Sequence, residues 1–385
     1  MRSLIIDLGD THVAAGIASG ARGALEAFSS VPVSGLKKGV VSQTASVSTA
    51  IQQAIEALGK DVSGLPVIVN LSGGHVEVMP TQGLKLISPK NRAITHHDVM
   101  EVVNHSRSIV LANDREQVHI VPRGFRVDGR AGVQDPVGEP AFRLEVESLL
   151  VTAHRESARM SMDALAAAGI PDARFVMGAL ASGLGALTDK EIKSGAIVID
   201  IGGGVTDVSM FRDGSLAAAA SLPVGSYSVT QDIAQLLKTS TEEADRLKVS
   251  HGNAYPVDVP DSATVEVQQL GQPVPRPMQG KVLAEIIESR VREILRLAKQ
   301  AVENGRPGSV AGVPVVLTGN GARLPGVDRL AAITFGESAV KTVLPTKGTA
   351  ALIGLGAYAA QSEEEVAPAD APTSWKDRFK GLLTR

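Results

Sequence analysis

The sequence predicts a two-lobed α/β protein, and three observations carry that expectation. A strand, an Asp-(Leu/Ile)-Gly turn and a second strand occur at 3–18, "SLIIDLGDTHVAAGIA", and again within 195–225, "GAIVIDIGGGVTDVSMFRDGSLAAAASLPVG". A repeat of this kind builds two similar halves. Strand and helix patterns are interleaved along the rest of the chain. At 385 residues the chain passes the size at which one core stops growing, which favours two domains or one bilobed body.

The elements follow from local pattern. Residues 42–59 place Val47, Ile51, Ile55 and Leu58 at helical spacing, with Gly59 as a stop. "LPVIVNLSGG" at 65–74 reads as a buried strand ending in a glycine turn. From 80 to 160 the texture changes to that of a small α/β insertion. A helix opens there at the N-cap Thr95, and strands surround the loop "AGVQDPVGEP". Residues 155–169 are helical and end at Gly169-Ile170-Pro171. The helix at 241–252 opens on a capping box of Ser240/Thr241 and Glu243. Residues 281–304 carry the longest helical stripe, Leu283, Ile287, Ile294, Ala298 and Val302. "VPVVLTGNGARLPG" at 313–326 is a strand and a glycine turn, and 346–361 is a closing helix. The linker 361–373, "QSEEEVAPADAPT", reads as disordered.

Composition narrows the function. The chain is 44% hydrophobic and 21% charged, as in globular proteins, with only 3% aromatics, so Val, Leu, Ile and Ala must fill the core. Net charge is −3, which argues against a nucleic-acid binder. There is no cysteine, hence no disulfide and no thiolate metal site, which fits a reducing compartment. No run of about 18 apolar residues occurs, and Asp7 interrupts the first one, so a cytoplasmic body is expected. His96 and His97 lack metal-ligand spacing and read as surface histidines. No G-x-S-x-G elbow supports a hydrolase triad.

The glycine turns carry the chemistry. In "DIGGGVTD" a strand ends at Asp200, and Gly202, Gly203 and Gly204 let backbone amides approach phosphate oxygens with no Cβ in the way. Thr206 adds a hydroxyl. Asp200 and Asp207 suit a hydrated Mg²⁺ held through its waters. Asp7-Leu-Gly-Asp-Thr11 supplies a second such set, and opposed loops of this kind can clamp a nucleotide's phosphate tail. Either loop alone reads equally as a Gly-rich hairpin with exposed Asp. Gly319 and Gly321 form a third turn, on which a base or ribose could lie.

Together these motifs resemble the actin, Hsp70 and sugar-kinase superfamily, and more narrowly the FtsA family of bacterial cell-division proteins. The segments "QDPVGEPAFRLEVESLLVT" (134–152), "VGSYSVTQDIAQLLKTSTEEADRLKVSHGNA" (224–254) and "IIESRVREIL" (286–295) carry the narrower likeness. The resemblance implies an actin-like (ribonuclease H-like) two-lobed fold with an insertion subdomain of the 1C type in the first lobe. The implied division is first-lobe core 1–79 (1A), insertion 80–160 (1C), a return at 161–194, second-lobe core 195–240 (2A), its subdomain 241–310 (2B) and a return at 311–360. It implies ATP or ADP with Mg²⁺ as cofactors. Asp7, Gly9, Asp10, Thr11 and His12 would form the first phosphate loop, and Asp200, Gly202, Gly203, Gly204 and Thr206 the second. Gly225 would lie near the phosphates. Asp245 and Lys248 would sit beside adenine and ribose, with Gly319, Asn320 and Gly321 opposite. Asp7, Asp200 and Asp207 would hold the metal through water. Arg290 and Glu293, an i,i+3 pair, match positions that bind the C-terminal peptide of FtsZ; a solvated intrahelical ion pair is the other reading. Self-association into filaments, anionic inner-membrane lipids and later division proteins docking on 80–160 complete the implied partners, at the cytoplasmic face of the inner membrane at the division site.

The chain departs from the pattern in places. His12 stands where the family often has Lys. Asp10 replaces a hydroxyl residue and would set a carboxylate close to phosphate. Ser226 replaces the second glycine of a pair, Asn320 a middle glycine, and Asp245 the usual Glu. Gly178 stands where relatives commonly place an acid. Slow ATP hydrolysis, or none, is therefore expected, with the nucleotide acting mainly as a structural wedge.

The end, "SWKDRFKGLLTR" at 374–385, holds the chain's one Trp. On a helix at ~100° per residue, Trp375, Phe379, Leu382 and Leu383 share an arc of roughly 100°. Lys376, Lys380, Arg378 and Arg385 flank it. This is the pattern of a helix lying in a membrane interface. A tail docked on the chain's own body or in a partner's groove would share the pattern, and the acidic spacer argues against the first. One short helix binds weakly, and many copies on a filament bind by avidity. The rival readings are a small-molecule kinase of the superfamily and a pilus-assembly actin-like protein. No general base for a kinase stands out, and the basic tail counts against the pilus reading.

Overall fold

A computed structural model describes residues 2–20, 23–305 and 310–363. The interfacial helix expected at 374–385, and the linker expected beyond Glu363, lie outside the described residues.

The first lobe opens with β1 (Ser3–Leu8), β2 (His12–Ser19) and β3 (Ala24–Pro32). A tight hairpin follows, β4 (Leu36–Lys37) and β5 (Val40–Val41), then α1 (Thr44–Glu56) and β6 (Val67–Leu71). The insertion comprises β7 (Val76–Leu86), β8 (Arg92–Ala93), α2 (His96–Arg107), β9 (Arg115–Val127), β10 (Arg130–Val133), β11 (Pro140–Ala141) and β12 (Arg143–His154). The chain returns through α3 (Arg155–Ala167), β13 (Arg174–Met177), α4 (Gly178–Ala186) and α5 (Asp189–Ser194).

The second lobe has β14 (Ala196–Ile201), β15 (Thr206–Arg212), β16 (Ser215–Leu222), α6 (Ser226–Leu237) and α7 (Thr241–His251). It continues with β17 (Thr264–Val267), β18 (Arg276–Gln279), α8 (Gly280–Gly305), β19 (Val315–Thr318), α9 (Val327–Thr334), β20 (Val340–Thr342) and α10 (Ala350–Glu363).

The repeat seen in the sequence is a repeat in space. The first sheet has the order β13-β6-β1-β2-β3 and the second β20-β19-β14-β15-β16, each with an antiparallel meander on one side and parallel strands on the other. In both, the hairpin turn closes with the same bond, Gly9 N to His12 O at 3.1 Å and Gly202 N to Val205 O at 2.9 Å. Both β1 and β14 are apolar at nearly every position because they are central strands covered on both faces.

The insertion is a four-stranded antiparallel sheet, order β10-β9-β12-β7, with α2 packed on β7 and β12. Thr95 caps α2 in a full capping box with Asp98. The buried Asp98 carboxylate also takes Arg92 and Lys85, and these cations hold it far below the usual carboxylate range. The sheet spans Val76 to His154, so its edges lie N-terminal of the expected 80–160. Helix α3 packs against α1, and its Ala164 and Leu165 belong to the first lobe's core. The capping box expected for α7 is half present. Ser240 accepts from Glu243 N, but the Glu243 side chain turns to Arg246 and the amide of Gln268. At the far end α10 runs to Glu363, three residues into the expected linker, because no proline interrupts it there.

One hydrophobic cluster joins the two sheets and the insertion. It contains Ile5 and Ala14 of the first sheet, Val198 and Phe211 of the second, Leu149 and Val151 of the insertion, and much of α4 and α10. The two helices touch backbone to backbone. A Cβ at Gly354 would overlap the carbonyl of Ala181, and one at Gly185 that of Ala350. Glycine allows that approach. Gly354→Ala should lower stability by about 1–3 kcal/mol, and Gly354→Leu by more, read by thermal melting; unchanged melting in both would show that the crossing is loosely packed.

Candidate functional site

The two hairpin turns face each other across a cleft of about 260 Å³. Its lining includes Asp7, Gly9, Asp10, Thr11 and His12 from the first lobe. Asp200, Gly202, Gly203, Gly204, Asp207, Gly319 and Asn320 come from the second. The loops are in contact. A Cβ at Gly204 would overlap the Asp10 carboxylate, and one at Gly203 would lie 2.7 Å from Thr11 Cγ2. Gly319 has φ 82°, and a Cβ there would overlap Asp200. Glycine is thus required on the second lobe's side of the cleft by close approach.

Three carboxylates form the floor. Asp7 accepts from Asn70 Nδ2 at 2.6 Å and from Thr349 Oγ1 at 2.6 Å. Asp200 accepts from Ser182 Oγ at 2.5 Å. Asp207 accepts from Ser72 Oγ at 2.6 Å and the Ser221 hydroxyl also lies close enough to stabilise its carboxylate, while its buried Oδ1 makes no hydrogen bond of normal geometry among the described residues. Burial pushes Asp207 up to about 7 and Asp7 up to about 6, and the charge of Asp200 adds to both shifts. Burial also raises Asp200, against the pull of Ser182.

Such a floor suits a cation. An orphaned buried carboxylate oxygen costs free energy unless something positive or donating reaches it. Among the described residues no group of three or more His, Asp or Glu is placed to ligate a metal directly. Asp7, Asp200 and Asp207 could hold a hydrated divalent ion through its waters.

Several residues reach the site without having been singled out. Asn70 donates to Asp7 and accepts from Leu8 N, Ser182 holds Asp200, and Thr349 starts α10 by accepting from Leu352 N. Arg323 and Gly39 line the cleft. The signal for Asn70 was present: a lone amide inside the apolar run "VIVNL" demands a partner.

Other predicted residues stand elsewhere. Thr206 is fully buried, and its hydroxyl donates to Val224 O at 2.8 Å. Gly225 precedes α6 and packs on the second loop, where Ser226 N and Tyr227 N donate to the carbonyls of Gly202 and Gly203. Gly321 abuts Ile201. Asp245 and Lys248 pair with each other at 2.7 Å on α7, and Lys248 also donates to Thr230; neither lines the cleft. Arg290 grips Asp232 of α6 through two bonds, at 2.6 and 3.0 Å, and also pairs with Glu293. That ion pair is therefore an interhelix clamp as well as an intrahelical one. At Gly178 a Cβ would overlap Ser72 Oγ and crowd Asp207, so the Ser72–Asp207 bond occupies the space an acid would need.

The chain matches the family model described as "Cell division protein FtsA" over residues 197–360, and "SHS2 domain inserted in FTSA" over 73–152. It is 33% identical to the cell division protein FtsA of Borreliella burgdorferi over 302 residues, 77% of this chain and 72% of that protein. The chain belongs to the FtsA family. The FtsA of Bacillus subtilis is 33% identical over 306 residues, 78% of this chain and 69% of its own length. That of Escherichia coli is 31% identical over 315, covering 80% and 74%.

Among solved structures, the chain resembles one titled "PilM-PilN type IV pilus biogenesis complex" with a TM-score of 0.65 at 17% identity, over 96% of this chain and 99% of that one. It resembles Spiroplasma citri MreB5 bound to ADP with a TM-score of 0.56 at 13% identity, over 92% and 94%. These likenesses show the actin-like fold. The SHS2 match coincides with the insertion sheet, which agrees with edges near 73 and 154. No helix among the described residues is long and apolar enough to cross a membrane.

The carboxyls bear on stability. A raised folded-state pKa means the native state holds protons the unfolded chain has lost. The carboxyls therefore stabilise fully below about pH 4, and that stability is lost as pH rises through about 6 and 7. The free protein should be less stable at pH 8 than at pH 5, by about 1 kcal/mol from Asp7 and about 3 kcal/mol from Asp207, read as a lower melting temperature. Asp207→Asn should flatten the slope, and Mg²⁺ should raise the melting temperature more at pH 8. A pH-independent melt would refute the coupled-carboxylate floor.

Proposed function

We propose that this FtsA-family chain binds ATP or ADP with Mg²⁺ between its two glycine loops and assembles into filaments. On this reading it lies on anionic inner-membrane lipids through 374–385 and tethers FtsZ filaments to the division site. The observation that carries the nucleotide reading is the buried Asp207 Oδ1, without a hydrogen bond of normal geometry among the described residues, beneath two glycine loops in contact across the lobes.

Asp7, Asp200 and Asp207 would hold a hydrated Mg²⁺ through its waters, and the bound cation would supply charge neutralisation for the phosphates. Asn70, Ser72, Ser182 and Thr349 orient those carboxylates. Amides of the first and second loops meet phosphate oxygens, and the turn at Gly319–Asn320 takes the nucleoside side. Bound across both lobes, the nucleotide favours one lobe arrangement by its differential affinity. The crowding at Gly178 leaves no room for a further acid, which supports slow hydrolysis or none.

Near Arg290 and Glu293 the FtsZ C-terminal peptide would meet a pre-formed ion-pair surface shared by α6 and α8. The insertion presents a sheet to which later division proteins would dock. Filament assembly makes the single tail effective, because linked weak contacts multiply.

Two measurements test this. Liposome co-sedimentation with anionic lipid should pellet the full chain but not one truncated after Thr373; equal pelleting removes the tether. Mg²⁺ with ATP or ADP should raise the melting temperature, and EDTA should abolish much of the gain; no shift removes the nucleotide reading.

A further inference from the structure

The β4–β5 hairpin lies against the cleft from the first-lobe side, and its turn residues are Lys38 and Gly39. Asp10, on the first loop, turns its carboxylate to this hairpin: Oδ2 accepts from Lys38 N at 2.5 Å and Oδ1 from Gly39 N at 2.8 Å. Both amides belong to a backbone that is left-handed at this point, φ 53° at Lys38 and 79° at Gly39. The turn is also wedged among three other segments. A Cβ at Gly39 would overlap the carbonyl of Ser72, one at Gly73 would sit 2.5 Å from Lys38 O, and one at Gly204 would sit 3.2 Å from Lys38 N. Thus the turn touches the first loop, the end of β6 and the second loop of the opposite lobe. Gly39 itself lines the cleft.

Two consequences follow. First, both Asp10 oxygens are engaged by amides of the turn, which orients the carboxylate toward the hairpin, although burial still raises it above the usual carboxylate range. Second, Lys38 is exposed and takes part in no ion pair among the described residues. The first loop itself carries only His12, with its ring on Thr11 Oγ1 at 3.2 Å, and on the opposite lobe Arg323 lines the cleft with its Nε donating to Asn320 Oδ1 at 3.2 Å. A lysine on a flexible stem is a compact cation well suited to phosphate oxygens.

We infer that Asp10 is a positioning residue that pins the β4–β5 turn across the join of the two phosphate loops, and that Lys38 on this turn is the cation that meets the phosphate tail of a bound nucleoside di- or triphosphate. The inference rests on the nucleotide reading of the cleft and extends it to residues outside both glycine loops. It assigns the turn a role in coupling occupancy to lobe closure, because one turn contacts both lobes.

The test is ATP and ADP affinity, with Mg²⁺, of the full chain and three variants. Lys38→Gln should weaken both ligands about tenfold, and Lys38→Arg should restore most of the loss. The ligand-free melting temperature of both should match the parent, since the Lys38 side chain carries no ion pair. Asp10→Asn keeps one acceptor oxygen and loses the other, so it should also weaken binding. If Lys38→Gln binds as the parent does, or Asp10→Asn binds more tightly, the inference is overturned; tighter binding would mean that the Asp10 charge faces the phosphates. A parent chain that binds neither ligand would overturn the nucleotide reading together with this one.

Discussion

The crossing of α4 and α10 is the constraint on which the rest of the structure depends. Two glycines, Gly185 and Gly354, let the helices meet at backbone distance, and the core around them draws strands from both lobes and from the insertion. The same two helices carry the hydroxyls that hold the cleft floor. Ser182 of α4 bonds Asp200, and Thr349, at the start of α10, bonds Asp7. A shift of either helix therefore moves one carboxylate relative to the other. Packing at the centre and chemistry at the surface are one mechanical system here.

The floor itself is costly as built. Three carboxylates share a low-dielectric recess, two of them pushed up to about 6 and 7, and one oxygen makes no hydrogen bond of normal geometry among the described residues. Natural folds keep such a cluster where a ligand relieves it. The neighbouring hydroxyls and the Asn70 amide orient the acids without neutralising them, which leaves the charge available to a hydrated cation. This separates holding the acids from compensating them, and only the second depends on what is bound.

Membership of the FtsA family accounts for the insertion and the duplicated lobes, while particular residues give this chain its own character. Asp10 is the clearest case. By type alone it is a carboxylate on the first glycine hairpin and an electrostatic penalty for any anion there. In place, it is an acceptor for two backbone amides of a neighbouring turn. Gly178 is similar: the Ser72–Asp207 bond fills the space that any side chain there would take.

The sequence by itself determined the two-lobed α/β architecture, the two glycine hairpins, the long helix α8 and the existence of an insertion. These are set by local periodicity, turn residues and an internal repeat, all of which act over short spans of chain. It also singled out Asp7, Asp200 and Asp207, as acids at strand ends beside glycines, and the structure brings all three to the floor of one cleft. Only the tertiary structure decided which groups hold those acids. Asn70, Ser182 and Thr349 lie far from their carboxylates along the chain, and their bonds depend on strand order and on the helix crossing. The direction taken by Asp10, and the pairing of Asp245 with Lys248 away from the cleft, were likewise set by what packs alongside. Residue type states what a group can do; the neighbours brought in by folding decide which of those options is left to it.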